Sequence, residues 1–375
     1  MNTASGWAVG LMTGTVLDGN IDVALLKTDG RVIDAIGPCT LAPYQPSTVE
    51  LLHECQQQAL QWQFNGPEPA VFSQAEDKLT REQAAAITNL LDVNNIALSD
   101  ISVVGFHGQT VLHRPPVSGC IGATRQLGDG ALMARLLGID IVNDFRSADM
   151  RAGGQGAPLS AIYHRALLEQ LGAAGDTAVL NLGGVANLTW WDGADILVAF
   201  DTGPANAPIN DFVRRHGYGE YDVDGKLAAI GMVDEPRLNT LLQHRFMKAA
   251  YPKSLDRFDF TWRMAEGCAL ESGAALLTAF SAAAVGCALD LLPQRPRQLI
   301  VCGGGRHNPS LMRELHRRTN TSVIPADDVG WRGDAMEAEC FAYLGMRALQ
   351  ALPSSFPGTT GVISPTCAGV VHKPL

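Results

Sequence analysis

Two apolar runs open the chain, at residues 7–12 and 20–26. Both have strand composition, and the Gly-Thr-Val-Leu-Asp-Gly link between them carries the short Asp-Gly signal of a hairpin, with Thr15, Asp18 and Gly19 at its tip. A third strand-like run covers 32–39, and helical periodicity follows at 47–62 and 70–91, with Pro and Gly between the two segments. The apolar strand at 101–106 ends in His107-Gly108-Gln109-Thr110. A helical segment at 128–138 leads into a buried strand at 139–142, which ends in Asn143-Asp144-Phe145-Arg146, then Asp149 and the run Gly153-Gly154-Gln155-Gly156. Polar side chains at strand carboxyl ends are where open α/β sheets bind ligands.

From residue 177 the opening pattern returns: strand 177–182, the turn Gly183-Gly184, strand 185–191, an Asp192-Gly193 turn and strand 196–200. Beyond an Ala-rich helix lie a strand at 298–302, Gly303-Gly304-Gly305, a helix at 308–318 opened by Pro309, a strand at 322–325 and a last helix at 333–352. A repeat of this length predicts two similar α/β domains. Their expected limits are 1–142 and 143–352, with an irregular tail at 353–375 packing on the first.

Composition narrows the class. With 375 residues, 46% of them apolar, the chain is longer than one core usually grows. A net charge of -10 disfavours nucleic acid and anionic membranes as partners, leaving a small molecule as the expected ligand. Eight cysteines without metal-like spacing read as reduced core thiols of a cytoplasmic protein. The first residues lack the basic and apolar segments of a signal peptide. The stretch 273–289 is uncharged, but its Ala, Ser and Gly content predicts a buried helix, not a membrane span.

Glycine-rich turns hold phosphates because backbone N–H groups can approach one anion together. Candidate turns stand at equivalent places in the two repeats, Gly14 to Gly19 and Gly183-Gly184, and a third, Gly303-Gly304-Gly305, lies between a strand and a helix N-terminus. The Walker and Rossmann signatures are missing, as are H-E-x-x-H and G-x-S-x-G.

The segments GLMTGTVLDG, FHGQTVLHRP, DFRSADMRAGGQGAPL, LNLGGVANLT, FDTGPAN and VCGGGRHNPSLM resemble, in order and spacing, those of the anhydro-N-acetylmuramic acid kinase family. That family belongs to the sugar kinase, Hsp70 and actin superfamily. The resemblance implies two duplicated actin/hexokinase-like (ribonuclease H-like) domains with a cleft between them. It also implies ATP- and Mg²⁺-dependent phosphorylation at O6 of 1,6-anhydro-N-acetylmuramic acid with opening of the anhydro ring by water. The product is N-acetylmuramic acid 6-phosphate, and the role is murein recycling in the cytoplasm, with a homodimer as the candidate assembly.

By the same resemblance Asp201 is the base that activates water. The nucleotide set is Gly14, Thr15, Val16, Leu17, Asp18, Gly19, Asn181, Gly183, Gly184, Gly303, Gly304, Gly305 and Asn308, with Asp18 holding Mg²⁺ directly or through water. The sugar is met by His107, Gln109, Thr110, Asp144, Arg146 and Glu337, and Arg146 can pair with the lactyl carboxylate. The residues alone leave other roles open: Asp201 as a helix N-cap, His107 as a main-chain-bonded core histidine, Arg146 in an ion pair with Asp144 or Asp149. Three departures stand out: Val16 where the family has Ser, an extra residue between Gly19 and Asp22, and Ala205 in place of Gly. Two rival functions remain, a kinase of another anhydro sugar such as levoglucosan and a non-catalytic actin-like nucleotide-binding protein.

Overall fold

The computed structural model describes residues 5–13, 17, 19–116, 122–256 and 258–374. The chain divides into two compact units, residues 1–170 with 335–375, and residues 171–334.

In the first unit β1 (Gly6–Met12), β2 (Asn20–Thr28) and β3 (Ile33–Pro43) form an antiparallel meander, and β4 (Ile101–Phe106) lies parallel to β1. The β1–β2 register runs from Gly6↔Thr28 to Met12↔Asp22, so the expected hairpin is present. Of its tip, Gly14, Thr15, Val16 and Asp18 lie outside the described residues. Burial follows position in the sheet: β1 becomes fully buried along its length, whereas edge strand β3 alternates between covered and exposed residues. Helices Pro46–Trp62 and Val71–Val93 cover the sheet between β3 and β4. After β4 comes a hairpin that the sequence pattern did not predict, β5 (Gln109–Arg114) with β6 (Ala123–Leu127). Then β7 (Ile141–Asn143) adds parallel to β4.

The second unit repeats the plan. β8 (Thr177–Leu182), β9 (Val185–Trp191) and β10 (Leu197–Pro204) are antiparallel, β11 (Gln298–Cys302) is parallel to β8, and β12 (Ser322–Pro325) is parallel to β11. The core order is β3-β2-β1-β4-β7 in one sheet and β10-β9-β8-β11-β12 in the other, the same topology twice. This is the duplicated ribonuclease H-like fold that the family resemblance implied, on the two similar domains that the repeat predicted. Helix Leu270–Leu289 is apolar enough to cross a membrane, yet 89% of its most apolar window is buried against its own unit.

The chain then returns to the first unit, which differs from the expected division at residue 142. Helix Met336–Leu349 lies on β1 and β4 because Gly10 and Gly105 let its backbone down onto the sheet. A Cβ at Gly10 would collide with the Ala338 carbonyl, and one at Gly105 with that of Phe341. The tail is ordered: Ser355 bridges Thr366, and β13 (Val370–His372) pairs antiparallel with β7.

Candidate functional site

In the first unit, the chemistry gathers past the carboxyl ends of β4 and β7. A cavity of about 160 Å³ is lined there by His107, Gly128, Asn143, Asp144 and Ser147, among others. His107 is 3% exposed, and its Nε2 lies 2.9 Å from Arg146 Nη2. Guanidinium only donates, so Nε2 accepts and the proton sits on Nδ1. That Nδ1 is buried beside the Gly108 main chain, with no well-aligned hydrogen bond among the described residues. Burial, reinforced by the Arg146 charge, holds the His107 pKa well below the usual 6.5. The ring is therefore neutral at physiological pH.

Arg146 Nη1 donates to the Gly156 carbonyl (2.8 Å), so the guanidinium is pinned between His107 and the glycine loop. Asp144 adopts φ 50° and accepts from Ser147 N (3.2 Å), while Asp149 turns to Gly156 N and the Thr360 hydroxyl. Arg146 thus meets His107 and a main-chain carbonyl, while Asp149 is engaged by a backbone N–H and a hydroxyl. Gln109 and Thr110 begin β5, and Thr110 Oγ1 accepts from Gln126 Nε2 (3.3 Å). Glu337 stands exposed in the first turn of the last helix. Leu17 and Gly19 are described, and Gly19 adopts φ 82° in the β1–β2 connection.

In the second unit, Asp201 is 6% exposed on β10, where a bulge between Asp201 and Gly203 breaks the register with β9. Bulges re-aim side chains. Its N–H donates to Lys253 O (3.0 Å), and its Oδ2 accepts from Leu255 N (2.8 Å). It is not an N-cap, since helix Asn206–Arg215 follows Ala205 and has no side-chain cap. Lys253 lies over the Phe246 ring (4.5 Å) and donates to Phe246 O (2.7 Å). Burial draws its pKa down to about 8, with nearby Cys287 and Asp201 opposing the drop. No sequence signal marked Lys253 and Leu255, which meet Asp201 through main-chain groups that any residue carries.

The Gly183-Gly184 turn is anchored by its carbonyls: Gly183 O accepts from Asn206 N (3.0 Å) and Asn206 Nδ2 (2.8 Å), and Gly184 O from Ala205 N (3.0 Å). Asn181, at the end of β8, is buried and accepts from Cys302 Sγ at 3.8 Å. Gly303 adopts φ 75°, and a Cβ on it would strike Asn181 Oδ1. Gly304 is different, because its φ lies outside the left-handed region and a Cβ there would meet nothing within 4 Å. Among the described residues no neighbour requires glycine there, which fits a surface that a ligand approaches closely. A 3-10 turn, Gly304–His307, separates this loop from helix Pro309–Thr319, whose N-cap is Asn308, accepting from Ser310 N and Leu311 N.

Arg306, also missed in the sequence, fixes the loop. Its buried guanidinium donates to Asp327 (2.6 Å), Asp334 (2.5 and 2.7 Å) and Gly303 O (3.2 Å). The two carboxylates raise its pKa further above the arginine norm.

The family model for anhydro-N-acetylmuramic acid kinase matches residues 6–374. The chain belongs to the anhydro-N-acetylmuramic acid kinase family. A family protein of Brucella anthropi is 60% identical over 363 residues, covering 97% of this chain and 98% of the relative. One from Rhizobium rhizogenes is 61% identical over 363 residues, with the same coverage of 97% and 98%. Both bear the name anhydro-N-acetylmuramic acid kinase. Among solved structures, (R)-2-hydroxyglutaryl-CoA dehydratase component A of Acidaminococcus fermentans matches with a TM-score of 0.45 and 12% identity, over 91% of this chain and 99% of that one.

Proposed function

We infer that this protein is an ATP-dependent kinase that phosphorylates O6 of 1,6-anhydro-N-acetylmuramic acid while water opens the anhydro ring. The product is N-acetylmuramic acid 6-phosphate, and the setting is cytoplasmic recycling of murein. Family membership over nearly the whole chain supports the substrate. The observation that carries the chemistry is Asp201: a carboxylate on a bulged strand, buried to 6% exposure, with one oxygen steadied by Leu255 N.

In this reading Asp201 takes a proton from water as that water attacks the anomeric carbon. The bond from that carbon to O6 breaks, and O6 attacks the γ-phosphorus of ATP, releasing ADP. Phosphoryl transfer of this kind depends mainly on positioning and charge stabilisation. The glycine turns at 183–184 and 303–305 supply backbone donors for the nucleotide, and the open space over Gly304 supports that assignment. Asn181 and Asn308 brace those turns, and Leu17 and Gly19 belong to the third.

Among the described residues no three His, Cys, Asp or Glu side chains converge on a metal site. A Mg²⁺ ion bound chiefly by phosphate oxygens and water asks for few carboxylates, and Asp18 is the one assigned to it. Bound there, the metal would neutralise charge on the phosphates. In the first unit Arg146, oriented by neutral His107, faces the lactyl carboxylate of the sugar, with Asp144, Gln109, Thr110 and Glu337 as polar contacts.

The test is ATP consumption with 1,6-anhydro-N-acetylmuramic acid and, separately, levoglucosan, with the product followed by mass. A product heavier by one HPO₃ and one water from the muramic sugar is expected. Phosphorylation of levoglucosan alone, or of neither sugar, overturns the reading. Asp201→Asn should keep ATP and sugar binding and lose most turnover, about a hundredfold or more. Wild-type turnover in that variant would remove Asp201 from the base role.

A further inference from the structure

Asp149 takes no part in the chemistry above, yet it is fully buried at the start of the glycine loop. Its Oδ1 accepts from Gly156 N at 2.6 Å, and its Oδ2 from the hydroxyl of Thr360 at 2.5 Å. Thr360 is itself fully buried, and its carbonyl accepts from Gln155 N at 2.7 Å. The loop wraps Asp149 so tightly that a Cβ on Gly154 would run into the carboxylate. Gly156, held from its N–H by Asp149, presents its carbonyl to Arg146 Nη1 at 2.8 Å. A continuous path of hydrogen bonds therefore runs from Thr360 through Asp149 and Gly156 to the guanidinium.

The tail also reaches the other end of the same segment. His372 Nε2 lies 2.9 Å from Asn143 Oδ1, and β13 pairs with β7 directly before Asp144. Residues 143–156 are thus bracketed by residues 360 and 372 of the tail. The tail is anchored in turn by Arg347, which donates to Pro353 O from Nε (2.8 Å) and Nη2 (2.5 Å), and by Ser355 paired with Thr366.

We propose that Asp149 and Thr360 are positioning residues for the sugar carboxylate: the tail, acting through them and Gly156, sets the orientation in which Arg146 meets that group. This rests on the reading of Arg146 as the carboxylate partner. A bidentate guanidinium–carboxylate pair depends on the angle of the fork, so a loop that relaxes by a fraction of an ångström weakens it while leaving other sugar contacts in place.

The experiment compares binding of two sugars by calorimetry without nucleotide: 1,6-anhydro-N-acetylmuramic acid and 1,6-anhydro-N-acetylglucosamine, which lacks the lactyl carboxylate. Thr360→Val removes the hydroxyl at nearly constant volume, Thr360→Ser keeps it, and Arg146→Lys removes the fork. Thr360→Val should weaken the muramic sugar about tenfold. It should leave the other sugar and the KM for ATP unchanged, and Thr360→Ser should restore wild-type binding. Equal loss for both sugars, or no loss for either, overturns the proposal. If Arg146→Lys discriminates between the sugars and Thr360→Val does not, the path from the tail is wrong while the reading of Arg146 stands. If Arg146→Lys does not discriminate, that reading falls and the inference with it.

Discussion

His164 offers a test of the packing that is independent of catalysis. It lies in helix Ala161–Leu171, 3% exposed, and burial alone pushes its pKa from 6.5 down to about 3. In the unfolded chain it protonates normally, so below pH 6.5 the unfolded state binds a proton that the folded state refuses. Stability is then full above the unfolded pKa and falls as pH drops towards the folded one. Each pH unit in that window costs about 1.4 kcal/mol, so at about pH 5 the loss from His164 is about 2 kcal/mol. Urea unfolding of wild type and His164→Phe, followed by circular dichroism between about pH 7.5 and about pH 5, isolates this contribution. Phenylalanine keeps an aromatic ring of similar size without the titration. The stability difference between the two proteins should shift by about 2 kcal/mol towards the variant as pH falls. Parallel curves would show that His164 is protonated in the native protein or reaches water, and would refute the argument.

Two further variants address the scaffold and the nucleotide loop. Gly105→Ala puts a methyl group against the Phe341 carbonyl and should lower stability by about 1–3 kcal/mol, read as a drop in Tm; an unchanged Tm would mean that the last helix can back away from β4. Arg306→Lys replaces a fork bonded to two carboxylates and Gly303 O with a single ammonium, and should raise the KM for ATP by about tenfold with sugar binding unchanged. Equal effects on both substrates would count against a local role at the nucleotide loop.

The repeated meander was legible because each strand run was apolar and each link carried Gly or Asp-Gly. The β5–β6 hairpin was not, since its strands, QTVLHR and ATRQL, are half polar and follow no clean alternation. The last helix looked like the end of the second domain because sequence order says nothing about where a chain returns. The cue was in the strands instead: an isolated Gly inside a strand, such as Gly10 or Gly105, marks close approach of another backbone. The site divides along similar lines. His107, Asp144 and Arg146 were visible as polar residues at strand ends. The Thr360–Asp149 contact joins residues 211 apart, and Lys253 and Leu255 meet Asp201 through main-chain groups, so neither left a pattern to read.

The two units share a topology but not a distribution of chemistry, and the register shows where they part. In the second unit one row across the sheet reads Cys302, Asn181, Asn187 and Asp201, paired in that order from the end of the central parallel strand. The matching row of the first unit reads Phe106, Leu11, Val23 and Thr40. Polar groups within a sheet must find partners or lose stability, so a row of them survives only where neighbours satisfy it or a ligand completes it. The first unit avoids that cost by keeping the row largely apolar and placing His107, Asp144 and Arg146 beyond the strand ends, where loops and the tail hold them. The second unit carries the polar row inside the sheet, and rigid strands give Asp201 a fixed aim. A proton-abstracting group benefits from such rigidity more than a group that only binds the sugar, because small errors of position weigh most on the reacting atoms. The duplicated scaffold thus assigns the proposed base to the polar sheet and the proposed sugar contacts to the braced loops.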